Sequence, residues 1–259
     1  KEQVEIKGAV LDSRKGEEGY AFFAAKGERV DGHSFIPQVA AKGAALVICE
    51  TAPSVEIPYI VVENTLEALK KVAAFYREQL SIPIVGVTGS VGKTSTKEVI
   101  AGVLSQKYKV LKTEGNFNNE IGLPLTVLRI RDEHDVAVLE MGINHFGEMH
   151  RLSRIAKPDV CVITNIGQCH LEFLIDRDGI LRAKSEIFDF MNPEGVVCLS
   201  GDDDKLITVE NVHGKRPVFF GKSDSCDIQA INVENLGLNG SKADVIEGFT
   251  EASEPYEIC

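Results

Sequence analysis

Two periodicities alternate along the chain. In the first eighty residues, short apolar runs with a period near two, "YAFFAA" (20–25), "GAALVICE" (43–50) and "IPYIVV" (57–62), read as strands. The stretch "NTLEALKKVAAFYREQL" (64–80) switches to a helical period. Leu66, Leu69, Val72, Ala73 and Tyr76 line one face, Asn64 stands where a cap belongs, and Glu67 follows three residues later. "SIP" (81–83) breaks the pattern and predicts a domain boundary. From residue 82 the order strand, loop, helix repeats. "IPIVGV" (82–87), "KVLKT" (109–113), "DVAVLE" (135–140), "DVCVIT" (159–164) and "GVVCL" (195–199) are the strand candidates. The first, third and fourth are apolar on both faces, which suits a parallel sheet covered by helices. "RPVFFG" (216–221) and "DIQAINVENLGLNG" (227–240) read as later strands and turns. The expected fold is α/β. A small α/β domain over 1–81 precedes a domain over 82–259 with a mostly parallel sheet flanked by helices.

Composition narrows the functional classes. The 259 residues suffice for two modest cores. A net charge of −11 argues against broad nucleic-acid or anionic-membrane binding, though not against a small anion in a local pocket. No apolar run is long enough to span a membrane. The chain opens at Lys1 rather than Met, so a longer natural chain is expected. Of six cysteines, Cys49, Cys161 and Cys198 sit in apolar runs, and none forms a CxxC pair; Cys169, Cys226 and Cys259 complete the set. Reduced thiols in a cytoplasmic protein are the expectation.

The densest chemical signal is "GVTGSVGKTSTKE" (86–98). A strand ending at Val87, the turn Thr88-Gly89-Ser90-Val91-Gly92 and a helix opening at Lys93-Thr94 make a phosphate-binding loop in its proper setting. Glycines let the backbone N–H groups face an anion, and the helix adds its positive end. Lys93 would reach the β/γ-phosphates and Thr94 would ligate Mg²⁺. One position departs from GxxxxGK: Val87 stands where the first glycine belongs, with Gly86 one residue early.

In an open parallel sheet, ligands bind beyond the carboxyl ends of strands. Loops "EGNFNNEIG" (114–122) and "NIGQCH" (165–170) and the strand end Glu140 are therefore expected on the rim that carries the phosphate loop. Glu140 is either an acidic Mg²⁺ partner or a solvated strand end. His170 is either a second metal ligand or a structural or exposed histidine. Asn116, Asn118 and Asn119 either donate to phosphate oxygens or serve turns. In "GILRAKSEIFDFM" (179–191), Lys184 shares a helical face with Ile180, Ala183, Ile187, Phe188 and Met191. Either its stem packs while the amine snorkels to water, or the amine is partly buried and neutral enough to take up CO₂ as a carbamate. The carbamate would be an anionic ligand for a second Mg²⁺.

These residues resemble a known family. "VTGSVGKTSTKEVI", "GNFNNEIGLPLTVL", "LEMGINHFGEMHRL", "KPDVCVITNIGQCHLEF" and "AKSEIF" look like the central domain of the Mur ligases. The family's loop is TGxxGK[ST][ST], which accounts for Val87. "LDSRKGEEGYAFFAAKGERVDGHSFIPQVAAKGAALVICE" (11–50) resembles the family's UDP-binding first domain. The resemblance spans roughly residues 8 to 210. "GNFNNEIGLPLT" points to the members that join D-alanyl-D-alanine to UDP-N-acetylmuramoyl-tripeptide, over MurE-type ligases. The implied reaction is amide ligation through an acyl phosphate, in peptidoglycan precursor synthesis in the bacterial cytoplasm, by a monomer. The implied cofactors are ATP, Mg²⁺ and a carbamylated lysine.

The resemblance also implies residue roles. Thr88, Gly89, Ser90, Val91, Gly92, Lys93, Thr94 and Ser95 hold ATP. Thr94, Glu140, His170 and carbamylated Lys184 serve the metal. Lys93, Lys184, His170, Asn118 and Asn119 form the catalytic set. Ser13, Arg14, Gly32 and His33 serve the UDP-substrate. The family's adenine-side Asn is replaced in Ser200-Gly201-Asp202-Asp203. The family's third, Rossmann-like domain has no counterpart before Cys259, so a fragment is expected. A MurE-like or folate-ligating relative, and a nucleotide-binding module without catalysis, are the rival readings. A general P-loop kinase or transporter ATPase has no need of His170 and Lys184 in these places.

Overall fold

The computed structural model describes residues 5–27, 30–168, 171–237, 240–248 and 256–258. His170, Cys169 and Cys259 lie outside the described residues. The chain forms two compact units. The first gathers the chain up to Ser81 with Thr113–His134, and the second gathers Ile82–Lys112 with the chain from Asp135 on.

The first unit carries a four-stranded parallel sheet in the order β1 (Gly8–Val10), β2 (Tyr20–Phe23), β3 (Leu46–Cys49), β4 (Tyr59–Val61). Alternation along β2 sends its side chains to two cores. Phe22 packs with Ile36 and Val39 of the helix Ile36–Ala41, and with Val47 and Cys49. Ala21 and Phe23 pack on the other face with Ile48 and with Leu69 of the helix Thr65–Glu78. That second core takes in Leu125 and Leu128, which is why Thr113–His134, part of the expected 82–259 domain, groups with the first unit. Tyr76 fixes the same segment by donating its hydroxyl to the Ile130 carbonyl at 2.5 Å. The helix Thr65–Glu78 starts as its sequence indicates: Asn64 is extended, and its Oδ1 accepts the Glu67 N–H at 2.9 Å.

The second unit carries a nine-stranded sheet. Its strands are β5 (Ile84–Thr88), β6 (Val110–Lys112), β7 (Val136–Glu140), β8 (Val160–Ile163), β9 (Val196–Ser200), β10 (Val218–Gly221), β11 (Ile228–Asn235), β12 (Ser241–Glu247) and β13 (Tyr256–Ile258). The spatial order is β13-β12-β11-β10-β9-β8-β5-β7-β6. All pairings from β6 to β11 are parallel, and β12 and β13 join antiparallel. The mostly parallel sheet expected from the apolar runs is present. β5 and β7 are buried along their whole length. β5 lies between β7 and β8, so the turn after Thr88 opens at the middle of the sheet. Among the described residues no helix is long and apolar enough to cross a membrane. Cys49, Cys161, Cys198 and Cys226 are free thiols.

The helix Lys93–Leu104 is tied to β6 through charge. Glu98 pairs with Lys97 at 2.8 Å and also with Lys112. Hydrogen bonds from Lys112 and then Lys97 hold the Glu98 carboxyl at about 2, below its ordinary 4.5. The pairing therefore supports the fold above pH 4.5, and this support is lost as pH falls from there through about 2. Glu98→Gln should lower the melting temperature at neutral pH, leave it nearly unchanged near pH 2, and so flatten the decline across that acid window. Asn64→Ala removes the cap of Thr65–Glu78 and should lower stability by about 1 kcal/mol in urea unfolding.

Candidate functional site

The turn after β5 is shaped by two glycines. Gly89 has φ +150°, and a Cβ there would lie 1.9 Å from Thr164 Oγ1. Gly92 has φ +80° and precedes Lys93–Leu104 without any capping side chain. The first N–H groups of a helix have no partner within it. Among the described residues no side chain caps this start, so it is open to an anion. Thr94 and Ser95, in that first turn, are exposed. Thr88 ends the strand fully buried, and its Oγ1 has no hydrogen-bond partner among the described residues.

Both expected lysines meet at this turn. Lys93 Nζ donates to the carbonyls of Gly89 at 2.9 Å and Ser90 at 3.3 Å. Lys184 Nζ donates to the same Gly89 carbonyl at 3.0 Å, and the residue is 1% exposed. The snorkelling alternative for Lys184 is thereby overturned, because its amine is turned inward, away from water. Its helix, Arg177–Ser185, tightens into a 3₁₀ turn at Glu186–Phe188, yet Ile180, Ala183, Ile187, Phe188 and Met191 are all buried as the stripe indicates. Glu140 ends β7 in register with Val87 and is 2% exposed. The solvated strand end is overturned in the same way, since water does not reach the carboxylate.

The back of the turn is gripped by the loop that follows β8. Asn165 Oδ1 accepts the Val91 N–H at 2.9 Å, and Asn165 Nδ2 donates to the Val91 carbonyl at 2.9 Å. The Asn165 carbonyl accepts the Ser90 N–H at 3.0 Å. Thr164 Oγ1 donates to the Val91 carbonyl at 2.7 Å, and Ser90 Oγ accepts the Gly167 N–H at 2.9 Å. Asp203 holds this loop in turn by accepting the Ile166 N–H at 2.8 Å, while Arg177 donates to the Ile166 carbonyl. Asp202 accepts the N–H groups of Lys222 and Ser223. The acidic run after Gly201 is thus a set of main-chain staples. Sequence reasoning passed over Asn165. Its place, two residues past β8 at the carboxyl edge of a parallel sheet, was the signal available.

The donor set suits a magnesium ion better than a protein-enclosed metal. Among the described residues no three His, Cys, Asp or Glu side chains cluster as a metal cage. One buried carboxylate, Glu140, and a hydroxyl at Thr94 match an ion that takes few protein oxygens and completes its shell with phosphate and water. His170, the other expected ligand, lies outside the described residues. Asn118 and Asn119 belong to the first unit. Asn119 Oδ1 accepts the N–H groups of Ile121 and Gly122 and so starts the helix Gly122–Val127.

The first unit holds a cavity of about 570 Å³ lined by Asp12, Ser13, Arg14, Lys26, Gly32 and Gln38, among others. Ser13 is nearly buried, with its hydroxyl 3.4 Å from Gln38 Oε1 and its carbonyl accepting Lys42 Nζ. Arg14 extends into solvent but pairs with Asp12 through Nε and Nη2. Hydrogen bonds from the Arg14 guanidinium and N–H hold the Asp12 carboxyl at about 2. His33 does not line the cavity. Its Nε2 accepts the Glu50 N–H at 2.8 Å, which leaves the proton on Nδ1, donated to Asp31 at 2.7 Å. The ring thus locks the turn after β2.

The Mur ligase middle domain matches residues 87–252, and the catalytic domain of the Mur ligase family matches residues 5–90. The UDP-N-acetylmuramoyl-tripeptide–D-alanyl-D-alanine ligase of Bacillus subtilis is 43% identical over 235 residues, covering 90% of this chain and 51% of that protein. Among solved structures, MurF from Acinetobacter baumannii superposes with a TM-score of 0.86 at 39% identity, over 95% of this chain and 54% of that one. MurF ligase from Thermotoga maritima in complex with ADP gives 0.85 at 32% identity, over 100% and 59%. The chain spans about half the length of the curated relatives it matches. With a phosphate loop of the TGxxGK[ST][ST] form and matches along nearly its whole length, the chain belongs to the Mur ligase family.

Proposed function

We propose that this chain supplies the UDP-substrate and ATP sites of an ATP-dependent amide ligase. The enzyme adds D-alanyl-D-alanine to UDP-N-acetylmuramoyl-tripeptide, as a monomer in the bacterial cytoplasm, and so makes peptidoglycan precursor. The observation that carries this reading is the uncapped start of Lys93–Leu104 with two lysine amines on the Gly89 carbonyl. The names of the relatives at 35–43% identity support the choice of substrates.

The chemistry asks the protein to bring an anionic carboxylate to an anionic phosphate. The open N–H groups from Gly92 onward and the helix dipole stabilise the triphosphate. Lys93, drawn back onto Gly89 and Ser90, would release these carbonyls and extend to the β/γ-phosphates. The tripeptide's terminal carboxylate oxygen then attacks the γ-phosphorus, and ADP leaves. The D-alanyl-D-alanine amine attacks the resulting acyl carbon, and phosphate departs from the tetrahedral intermediate as the amine loses its proton. Mg²⁺, held by Thr94 and Glu140, would screen the phosphate charge when bound. Asn118 and Asn119 would donate toward the γ-phosphate. Ser13, Arg14 and Gly32 would receive the UDP moiety, and His33 would hold the turn beside it.

Lys184 is read as the carbamylated lysine. Two lysine amines share one carbonyl oxygen, and that of Lys184 is buried. A carbamate, formed when Nζ bonds to the carbon of CO₂ and gives up a proton, would place an anion beside Lys93 and a metal ion. His170 would share this ion.

In an enzyme carrying this chain at the full length of its relatives, phosphate should be released only when ATP, UDP-N-acetylmuramoyl-tripeptide and D-alanyl-D-alanine are all present. Release without the dipeptide, or with folates in place of the tripeptide substrate, sinks the assignment. Lys184→Ala in that enzyme should lower turnover by about a hundredfold or more. Acetate or formate should restore part of it and bicarbonate none. Unchanged turnover removes Lys184 from the mechanism.

A further inference from the structure

We infer that Asn165 is a positioning residue that sets which N–H groups of the phosphate loop remain available to an anion. The inference rests on the phosphate reading of that loop. Asn165 takes two consecutive N–H groups at the apex, Ser90 through its main-chain carbonyl and Val91 through Oδ1. Its Nδ2 also holds the Val91 carbonyl. A side-chain amide that pairs with both main-chain groups of one residue imitates a strand neighbour. It turns Val91 outward, with its N–H and carbonyl both directed at Asn165. The apex is therefore spoken for, and the anion is left with the N–H groups from Gly92 into Lys93–Leu104, where no side chain caps the helix.

Three further contacts make Asn165 rigid enough for this. Thr164 Oγ1 holds the same Val91 carbonyl, Gly167 N–H reaches Ser90 Oγ, and Ile166 is anchored to Asp203. The loop is thus held from behind before any nucleotide arrives, which spares the entropy of ordering it on binding. Val91 itself is 69% exposed, so burial does not explain why its main chain should be fixed.

The test uses the 259-residue chain. Amide hydrogen exchange is followed by NMR without ligand, and Mg²⁺-tripolyphosphate is titrated by calorimetry. The Val91 amide should exchange slowly in the wild type despite its exposure. In Asn165→Ala it should exchange about tenfold faster or more, with Val85 and Val87 of β5 unchanged, and the tripolyphosphate Kd should rise roughly tenfold. A purely structural role would instead loosen β5 along with the turn. Thr164→Val, which removes only the hydroxyl contact to the Val91 carbonyl, should keep Val91 protected and raise the Kd roughly threefold. Fast exchange of Val91 in the wild type overturns the inference even if Asn165→Ala does not fold. Unchanged affinity in Asn165→Ala, against measurable wild-type binding, overturns it while leaving the phosphate reading standing. A wild type that takes up no tripolyphosphate overturns both.

Discussion

One carbonyl oxygen, that of Gly89, joins the pieces of the second unit that matter for chemistry. It belongs to the turn after the central strand, and it accepts Lys93 from the following helix and Lys184 from a helix almost a hundred residues later. The carbonyl can face both amines because Gly89 adopts a backbone conformation that side chains resist, with Thr164 pressed against the space a Cβ would fill. A single glycine thus decides the approach of two cations.

The open helix start and the firm turn place opposite demands on the same few residues. A phosphate site needs N–H groups without partners, while a turn of glycines needs partners to hold a shape. The structure separates the demands in space. Side chains and main chain of the loop after β8 satisfy the back of the turn, and the front keeps its donors. Asp203 and Arg177 then support that loop from further out, so the acidic run after β9 contributes through the main chain it anchors.

Much of this was legible in the sequence, for identifiable reasons. The strands Ile84–Thr88, Val136–Glu140 and Val160–Ile163 announce themselves as Val- and Ile-rich runs, since strands buried on both faces leave few polar positions. Asn64 and Glu67 mark a helix start because capping is local chemistry. The phosphate loop is readable for the same reason. What stayed hidden depends on contacts between distant segments. The strand Gly8–Val10 is three residues long with no alternation of its own, and it exists because it pairs with Tyr20–Phe23. The 3₁₀ turn at Glu186–Phe188 follows from Glu186 reaching the N–H groups of Gly147 and His150. Periodicity put Lys184 on an apolar face but could not say where its amine ends. Asn165 lies within "KPDVCVITNIGQCHLEF", but nothing in that stretch tells its contacts, and only the return of β8 beside β5 makes it a neighbour of Val91.

The grouping of Thr113–His134 with the first unit has a consequence for how this chain can be made. The first sheet is complete in sequence by Val61, but one of its two cores waits for Leu125 and Leu128. On a ribosome, the opening half of the protein must linger with an apolar face uncovered while more than sixty further residues emerge, including all of β5 and Lys93–Leu104. The two units are therefore interleaved rather than successive, and severing the polypeptide after Ser81 would strand a hydrophobic segment on each side of the cut.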